Sequence, residues 1–371
     1  MRIEEIHLYH VGMPLVYPFR TSYGDDDAIE SLVVHLVGAD GEGWGEAAPW
    51  RAPGYSPEWA YAAFLTVREW LAPQIVGRDV RSGADLRRHL AGFKGNPFAK
   101  AALDTAWWDL DASARGEPLW RAVGGVSPSV TVGADLGVME SVDRLLEAVE
   151  AVQAAGFRRL KLKFRPGWDV PVVEAVRRRF PDLPTHIDCN GAYTLADLPM
   201  FRALDGLGLA MIEQPLGHDD LVDHALLQAQ LATPICLDES ITGADRARQA
   251  AEIGACRWVN VKPGRVGGLT EAIAIHDTCA ARNIPCWVGG MLESALGQGF
   301  SLALATLPNF QYPADIFPSR RFYAADLAEP EIVLSGPSQV TAPDRPGVGY
   351  RPHPERLRRQ TLHEATIRAG A

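Results

Sequence analysis

Five short apolar runs in the middle of the chain each end in a charged residue. They are Leu160-Lys161-Leu162-Lys163, His186-Ile187-Asp188, Met211-Ile212-Glu213, Cys236-Leu237-Asp238 and Asn260-Val261-Lys262. From Lys163 to Lys262 the charges recur at intervals of 25, 25, 25 and 24 residues. Three carboxylates on adjacent elements, Asp188, Glu213 and Asp238, repel one another unless a cation sits between them. An all-oxygen set with room for water and substrate suits Mg²⁺ or Mn²⁺ rather than zinc. A lysine on either side of the acids, Lys163 and Lys262, suits removal of a proton next to a carboxylate. One lysine takes the proton; the other returns one to the opposite face or holds a cation beside the intermediate. Lys161 and Lys163 lie two apart on an extended run and so point to the same side. Two ammonium groups turned inward without anions would be costly.

An interval of about 25 residues fits one strand, one loop and one helix. The chain therefore delivers one charge per βα unit at the C-terminal end of each strand, which is the rim where (β/α)8 barrels carry their active sites. From Val130 the pattern alternates regularly. Val130 to Leu136 reads as the first barrel strand, and the five runs as strands two to six. Pro285 to Val288 is the seventh and Phe310 to Ala314 the eighth. Helices are expected near 169–180, 195–204, 219–231, 244–254 and 270–282. Counted this way, Lys163 and Lys262 lie four strands apart out of eight, facing each other.

Residues 1 to 125 read differently, as an α+β domain. Arg2 to Tyr9, Ser31 to Val37 and Gly43 to Ala47 are strands. Pro14 to Ile29 reads as a long aromatic-bearing loop suited to a lid, with Asp25 to Asp27 a solvated tip. Ser56-Pro57-Glu58 reads as the start of a helix running to about Leu71, and a second helix covers Phe98 to Arg115. The barrel occupies 126–318. The segment 319–371 is expected to return to the N-terminal domain, with Glu331 to Val340 as strand.

With 371 residues, 47% of them hydrophobic, the chain can bury a large core. A net charge of −10 argues against nucleic acid or an anionic membrane as partner. The N-terminus lacks a signal peptide's apolar core. No run approaches a membrane span. The five cysteines are odd in number, match no CxxC pattern and read as reduced core residues of a cytosolic protein. The sequence leaves a homo-oligomer open.

Taken together, Lys161-x-Lys163, Asp188-x-Asn190, Glu213-Gln214-Pro215, Asp238-Glu239-Ser240 and Lys262 followed by Pro-Gly-Arg-Val-Gly-Gly resemble the enolase superfamily, muconate-lactonizing subgroup. The chain is most similar to the o-succinylbenzoate synthase and N-succinylamino acid racemase family. Phe19 to Gly24, Ala106 to Leu110, Lys161 to Asp169, Ala192 to Asp197, Gly289 to Glu293 and Leu307 to Phe310 carry that likeness. Enolase-type sites are known to combine a lysine or histidine base with Mg²⁺. The resemblance implies a modified (β/α)8 barrel under a capping domain built from both termini. Loops near 17–27, with Phe19 and Tyr23, and from Trp50 to Tyr55 would select the substrate. Asp188, Glu213 and Asp238 would bind Mg²⁺, and Lys163 and Lys262 would be the acid/base pair. Lys161 would lie near the substrate carboxylate, with Asn190, Gly290 and Met291 lining the site. Glu239 and Arg265 would act from behind them, Arg265 by tuning Lys262. Asp135 stands where the family tends to place serine; it would attract an ammonium or turn toward a structural partner. His186 reads as a satisfied core histidine, and His218 and His224 as surface residues. The expected activity is o-succinylbenzoate synthesis, N-succinylamino acid racemisation, or both. A dipeptide epimerase, a muconate-type cycloisomerase and a silent binding scaffold are the alternatives.

Overall fold

The computed structural model describes residues 1–21 and 24–370. Three strands open the chain: β1 (Ile3–Arg20), β2 (Asp25–Gly38) and β3 (Gly41–Ala47). They form an antiparallel sheet whose other edge is the C-terminal strand Thr361–Arg368, paired with β1. The lid loop expected from Pro14 to Ile29 is instead the continuation of a long hairpin. Pairing slips between Pro14 and Phe19 and resumes at Phe19 opposite Asp26. Pro14 and Pro18 cannot donate to the ladder, so the strand bulges there rather than ending. Asp25 to Asp27 belong to β2, where Arg20 reaches Asp25 at 3.2 Å and Arg51 reaches Asp27 at 3.1 Å.

Glycines let β3 lie directly on the helix Pro97–Ala114. A methyl group at Gly43 would overlap the Ala106 carbonyl, and one at Gly45 the Ala102 carbonyl. Gly45→Val should therefore cost about 3 kcal/mol or more by overpacking, read as a lowered urea midpoint. The helix expected from Ser56 begins later, at Ala60, with Trp59 before it. Glu58 serves another helix: its buried carboxylate accepts from Phe98 N at 2.9 Å and Ala99 N at 3.1 Å, capping Pro97–Ala114. Burial pushes this carboxyl up to about 7 despite those bonds. The native state therefore keeps a proton there that the unfolded chain releases near pH 4.5, and Glu58 loses stabilising power as pH rises toward 7. Measured by denaturation at pH 5 and pH 8, the stability of Glu58→Gln relative to wild type should improve by about 1–3 kcal/mol across that window.

The next strands build the second layer. After β4 (Ser129–Thr131) come β5 (Ala134–Leu136), β6 (Leu160–Lys163), β7 (Thr185–Asp188), β8 (Ile212–Glu213), β9 (Ile235–Leu237), β10 (Trp258–Val261) and β11 (Cys286–Val288). The strands β5 to β11 form one parallel sheet in sequence order. Helices 142–154, 170–179, 198–205, 222–228, 244–252, 269–280 and 295–304 alternate with them. The expected eighth strand is irregular. Phe310 bridges Cys286 and Ala314 bridges Val132, which closes the barrel with single pairings; Pro313 between them has no N–H to give. The first barrel strand is likewise shorter than expected. It breaks at Gly133, where a side chain would collide with the Arg159 guanidinium.

The tail contributes β12 (Ala328–Glu329), β13 (Gln339–Thr341), β14 (Arg351–Pro352) and β15 (Thr361–Arg368). The strand expected from Glu331 to Val340 is mostly irregular, and β13 pairs with β4 rather than with the N-terminal sheet. Residues 361–368 make that return instead. The sheet layer is latched to the barrel by buried acids. Glu46 accepts from Ser294 N at 3.1 Å and Gly297 N at 3.0 Å, and Asp104 from Thr270 N at 3.0 Å. The result is a modified (β/α)8 barrel with a capping layer drawn from both ends of the chain.

Candidate active site

The C-terminal ends of β6 to β10 converge, because parallel strands in register carry their last residues to one rim. Register puts Asp135 beside Lys161 and Lys163 beside Asp188. Asp188, Glu213 and Asp238 are each at most 1% exposed. Every one of them meets a cation. Lys163 Nζ lies 2.7 Å from Asp188 Oδ2, and Lys161 Nζ lies 2.9 Å from Asp188 Oδ2 and 2.9 Å from Glu213 Oε2. Lys262 Nζ lies 2.8 Å from Asp238 Oδ2, and Arg265 bonds Asp238 Oδ1. Among the described residues, no three His, Cys, Asp or Glu side chains are grouped to hold a metal ion.

These contacts set the protonation of the site. Burial works against a charged Lys161, but Asp188, Glu213 and Asp315 outweigh it and hold its pKa well above the usual lysine value. Lys262 goes the other way: burial and the nearby Lys161 lower it, against the pull of the acids. Burial would raise Asp188, yet Lys161 and Lys163 hold it well below the carboxylate range. Lys161 is thus a fixed cation, and Lys262 parts with its proton more readily than an exposed lysine.

The Glu213-Gln214-Pro215 run has a geometric purpose. Gln214 takes a positive φ of 37° at the end of β8. Its Oε1 then accepts from Asp238 N at 2.9 Å and Ser240 N at 3.2 Å, while Nε2 donates to Ser240 Oγ at 2.7 Å. One amide thereby braces two neighbouring strand ends. Asn190, also left-handed at φ 45°, accepts from Lys163 at 3.3 Å and donates to Glu239 Oε1 at 3.1 Å. Arg265 is fully enclosed and donates to Ile241 O and Asn260 O at 3.0 and 2.6 Å, so it is no surface residue.

A small cavity of about 20 Å³ brings together Phe19, Asp135, Lys161, Lys163, Asn190, Lys262, Gly290 and Met291. Of the residues expected to line the site, Tyr23 lies outside the described ones. A larger cavity of about 740 Å³ opens behind Tyr55 and Arg265, and none of the three lysines or three metal-type acids lines it. His186 is buried, with Nδ1 3.2 Å from the Tyr312 hydroxyl and Nε2 3.3 Å from Glu213. His218 is exposed as expected. His224 is not: it is fully buried, accepts from Leu216 N at 3.1 Å and pairs with Asp220 O at 2.9 Å. It holds the turn that follows β8, which is why it points inward.

Three participants escape the sequence reading, and a fourth, Tyr55, is expected there only as the end of a substrate-selecting loop. Tyr55 comes down from the capping layer, donates to Asp238 Oδ1 at 3.0 Å and lies 3.0 Å from Lys262 Nζ. Asp315, in the irregular closing segment, pairs with Arg159 at 2.7 Å and Lys161 at 3.4 Å. Asn260 donates to Glu213 Oε1 at 2.6 Å. Arg159 and Asn260 each sit two residues before an inward lysine, and that period of two was the available signal. Asp315 and Tyr55 follow no period.

Residues 144–356 match the enolase C-terminal domain-like family, and residues 3–124 match the mandelate racemase / muconate lactonizing enzyme N-terminal domain. An o-succinylbenzoate synthase from Geobacillus kaustophilus is 46% identical over 94% of this chain and 93% of its own. An N-succinylamino acid racemase from Thermus thermophilus is 43% identical over the full length of both. A crystal structure of an enolase-superfamily member from Listeria innocua superposes with a TM-score of 0.95 at 36% identity, covering 99% of each chain. The chain belongs to the enolase superfamily, in its mandelate racemase and muconate lactonizing branch.

Proposed function

We propose that this protein is a Mg²⁺-dependent enzyme that removes the α-proton of a carboxylate substrate, acting as an o-succinylbenzoate synthase, an N-succinylamino acid racemase, or both. The observation that carries the reading is the pair Lys163 and Lys262. They end strands four apart in the sheet yet line one cavity, with three buried acids on the strand ends between them.

Asp188, Glu213 and Asp238, which are turned to lysine and arginine partners and not grouped around one point in this structure, would have to exchange those partners to hold the metal. Their fit rests on the donor set: three buried carboxylates on adjacent strands, now neutralised only by ammonium and guanidinium groups among the described residues. A divalent cation bound there would supply positive charge against the negative charge that builds on the substrate carboxylate. Lys161, held cationic, attracts that carboxylate. Lys163 takes the α-proton from one face. In racemisation Lys262 delivers a proton to the other face; in dehydration it stays cationic and steadies the anion. Gln214 and Asn190 orient Asp238 and Lys163. Phe19, Gly290 and Met291 shape the space around the substrate, with Glu239 and Arg265 supporting Asn190 and Asp238 from behind.

The substrate is a small carboxylate. All five cysteines are free and buried, in keeping with a cytoplasmic enzyme. No helix among the described residues is long and apolar enough to cross a membrane. The test is to supply purified protein and Mg²⁺ with the cyclohexadiene precursor of o-succinylbenzoate and, separately, with single enantiomers of N-succinylamino acids. Aromatic product or racemised product is expected. Inertness toward both classes, with Mg²⁺ shown to bind, would sink the proposal.

A further inference from the structure

The cavity behind Tyr55 has no part in the proposed chemistry. At about 740 Å³ it falls within the range of small-molecule sites. It lies where the capping layer meets the barrel mouth, between the helix Gly83–Leu90, the start of the helix Pro97–Ala114 and the loops that follow β8, β9 and β10. Leu86, Leu90, Phe98 and Val266 give it an apolar wall, which offers water few hydrogen-bond partners. Its charged lining is almost all committed. Arg87 pairs with Glu271 at 2.5 Å, and Arg265 bonds Asp238. Glu58 accepts from Phe98 N and Ala99 N, and Asp104 accepts from Thr270. Lys100 is the exception. This half-buried ammonium donates to Phe93 O at 2.5 Å, and among the described residues it has no ion-pair partner. An ammonium carries three donors, so others remain to be used. Burial works against its charge, and Glu58 restores only part of it. An anion arriving at Lys100 gains a charge-assisted hydrogen bond without breaking a resident ion pair.

We propose that this cavity is an effector site for an amphipathic carboxylate, which sets its carboxylate on Lys100 and its apolar body against Leu86, Leu90, Phe98 and Val266. The site reaches the catalytic space through Tyr55, which lines both cavities. The Tyr55 hydroxyl donates to Asp238 Oδ1 at 3.0 Å and lies 3.0 Å from Lys262 Nζ. A ligand packed behind the Tyr55 ring biases where that hydroxyl sits, and two sites that share one movable group are coupled. The binding claim stands on the cavity alone. Its link to turnover rests on the functional reading above.

The probe is 4-phenylbutyrate, with 4-phenylbutanol as its uncharged counterpart. Both are titrated by calorimetry, in buffer containing Mg²⁺, into wild type, Lys100→Gln and Ala91→Trp, each first shown to be folded by its Tm. Ala91 is exposed and lines the cavity, so an indole there fills the space from its rim. Phenylbutyrate should bind wild type, and Lys100→Gln should weaken it about 10-fold while leaving phenylbutanol unchanged. Ala91→Trp should weaken both. Bound phenylbutyrate should change kcat for an N-succinylamino acid with little change in KM, and the same concentration should have no such effect on Lys100→Gln. No binding to wild type up to the solubility limit would overturn the proposal. Equal loss of acid and alcohol in Lys100→Gln would overturn it as well, since the carboxylate would then have no place on Lys100. Binding that ignores both substitutions and competes with substrate would put the probe among the catalytic lysines and also overturn it. Binding without any effect on turnover would overturn the effector role. A protein that turns over none of its expected substrates, yet binds phenylbutyrate through Lys100, would count against the functional reading and in favour of the site.

Discussion

Lys163→Ala and Lys262→Ala should each lower racemisation of an N-succinylamino acid by about 10³-fold or more, with the protein still folded and still binding Mg²⁺. Each lysine serves one face of the substrate, and removing a positioned acid/base group costs 10²- to 10⁴-fold. The two variants should differ in one respect. Racemisation needs both faces, but exchange of the α-proton with solvent needs only one. Each variant should therefore retain residual exchange for a single enantiomer, and the two should retain it for opposite ones. Chiral chromatography with NMR detection of deuterium separates these outcomes. Equal residual exchange of both enantiomers in either variant would contradict the assignment of one lysine per face.

Removal of the divalent cation should be as severe. Dialysis against a chelator is expected to lower activity by about 10³-fold or more, and Mg²⁺ or Mn²⁺ should restore it, because a divalent cation held by Asp188, Glu213 and Asp238 would add charge that the lysines alone do not supply to the substrate anion. Glu213→Gln should mimic the loss without rescue by added Mg²⁺. A second readout is thermal. A ligand that binds only the folded state raises Tm with concentration. Mg²⁺ should thus raise the Tm of wild type and move that of Glu213→Gln little. A Tm of wild type indifferent to Mg²⁺, alongside full activity after chelation, would remove the metal from the account.

The centre of the site was legible because barrel geometry converts sequence spacing into spatial order. Charges placed once per βα unit must arrive at one rim, so Lys163, Asp188, Glu213, Asp238 and Lys262 come together whatever the loops do. Arg159 and Asn260 obeyed the same rule one pleat deeper. What escaped comes from places without a period. Tyr55 reaches Asp238 from a turn in the capping layer, and Asp315 reaches Lys161 from a segment that closes the barrel without forming a strand. The long hairpin was misread for a related reason: Gly12, Pro14 and Pro18 interrupt the alternation that marks a strand, although pairing survives on both sides of them. Glu58 illustrates the opposite error. A serine-proline-glutamate start signal was present, but its carboxylate caps a helix forty residues later in the chain rather than its own.

The most direct test of the account is NMR of an N-succinylamino acid incubated with wild-type protein and Mg²⁺ in D₂O. The account predicts that the α-proton signal disappears as deuterium enters, that both enantiomers accumulate, and that neither change occurs in a Lys163→Ala/Lys262→Ala double variant. An α-proton that persists in wild type while the compound demonstrably binds at the site, together with failure to aromatise the cyclohexadiene precursor of o-succinylbenzoate, would contradict it.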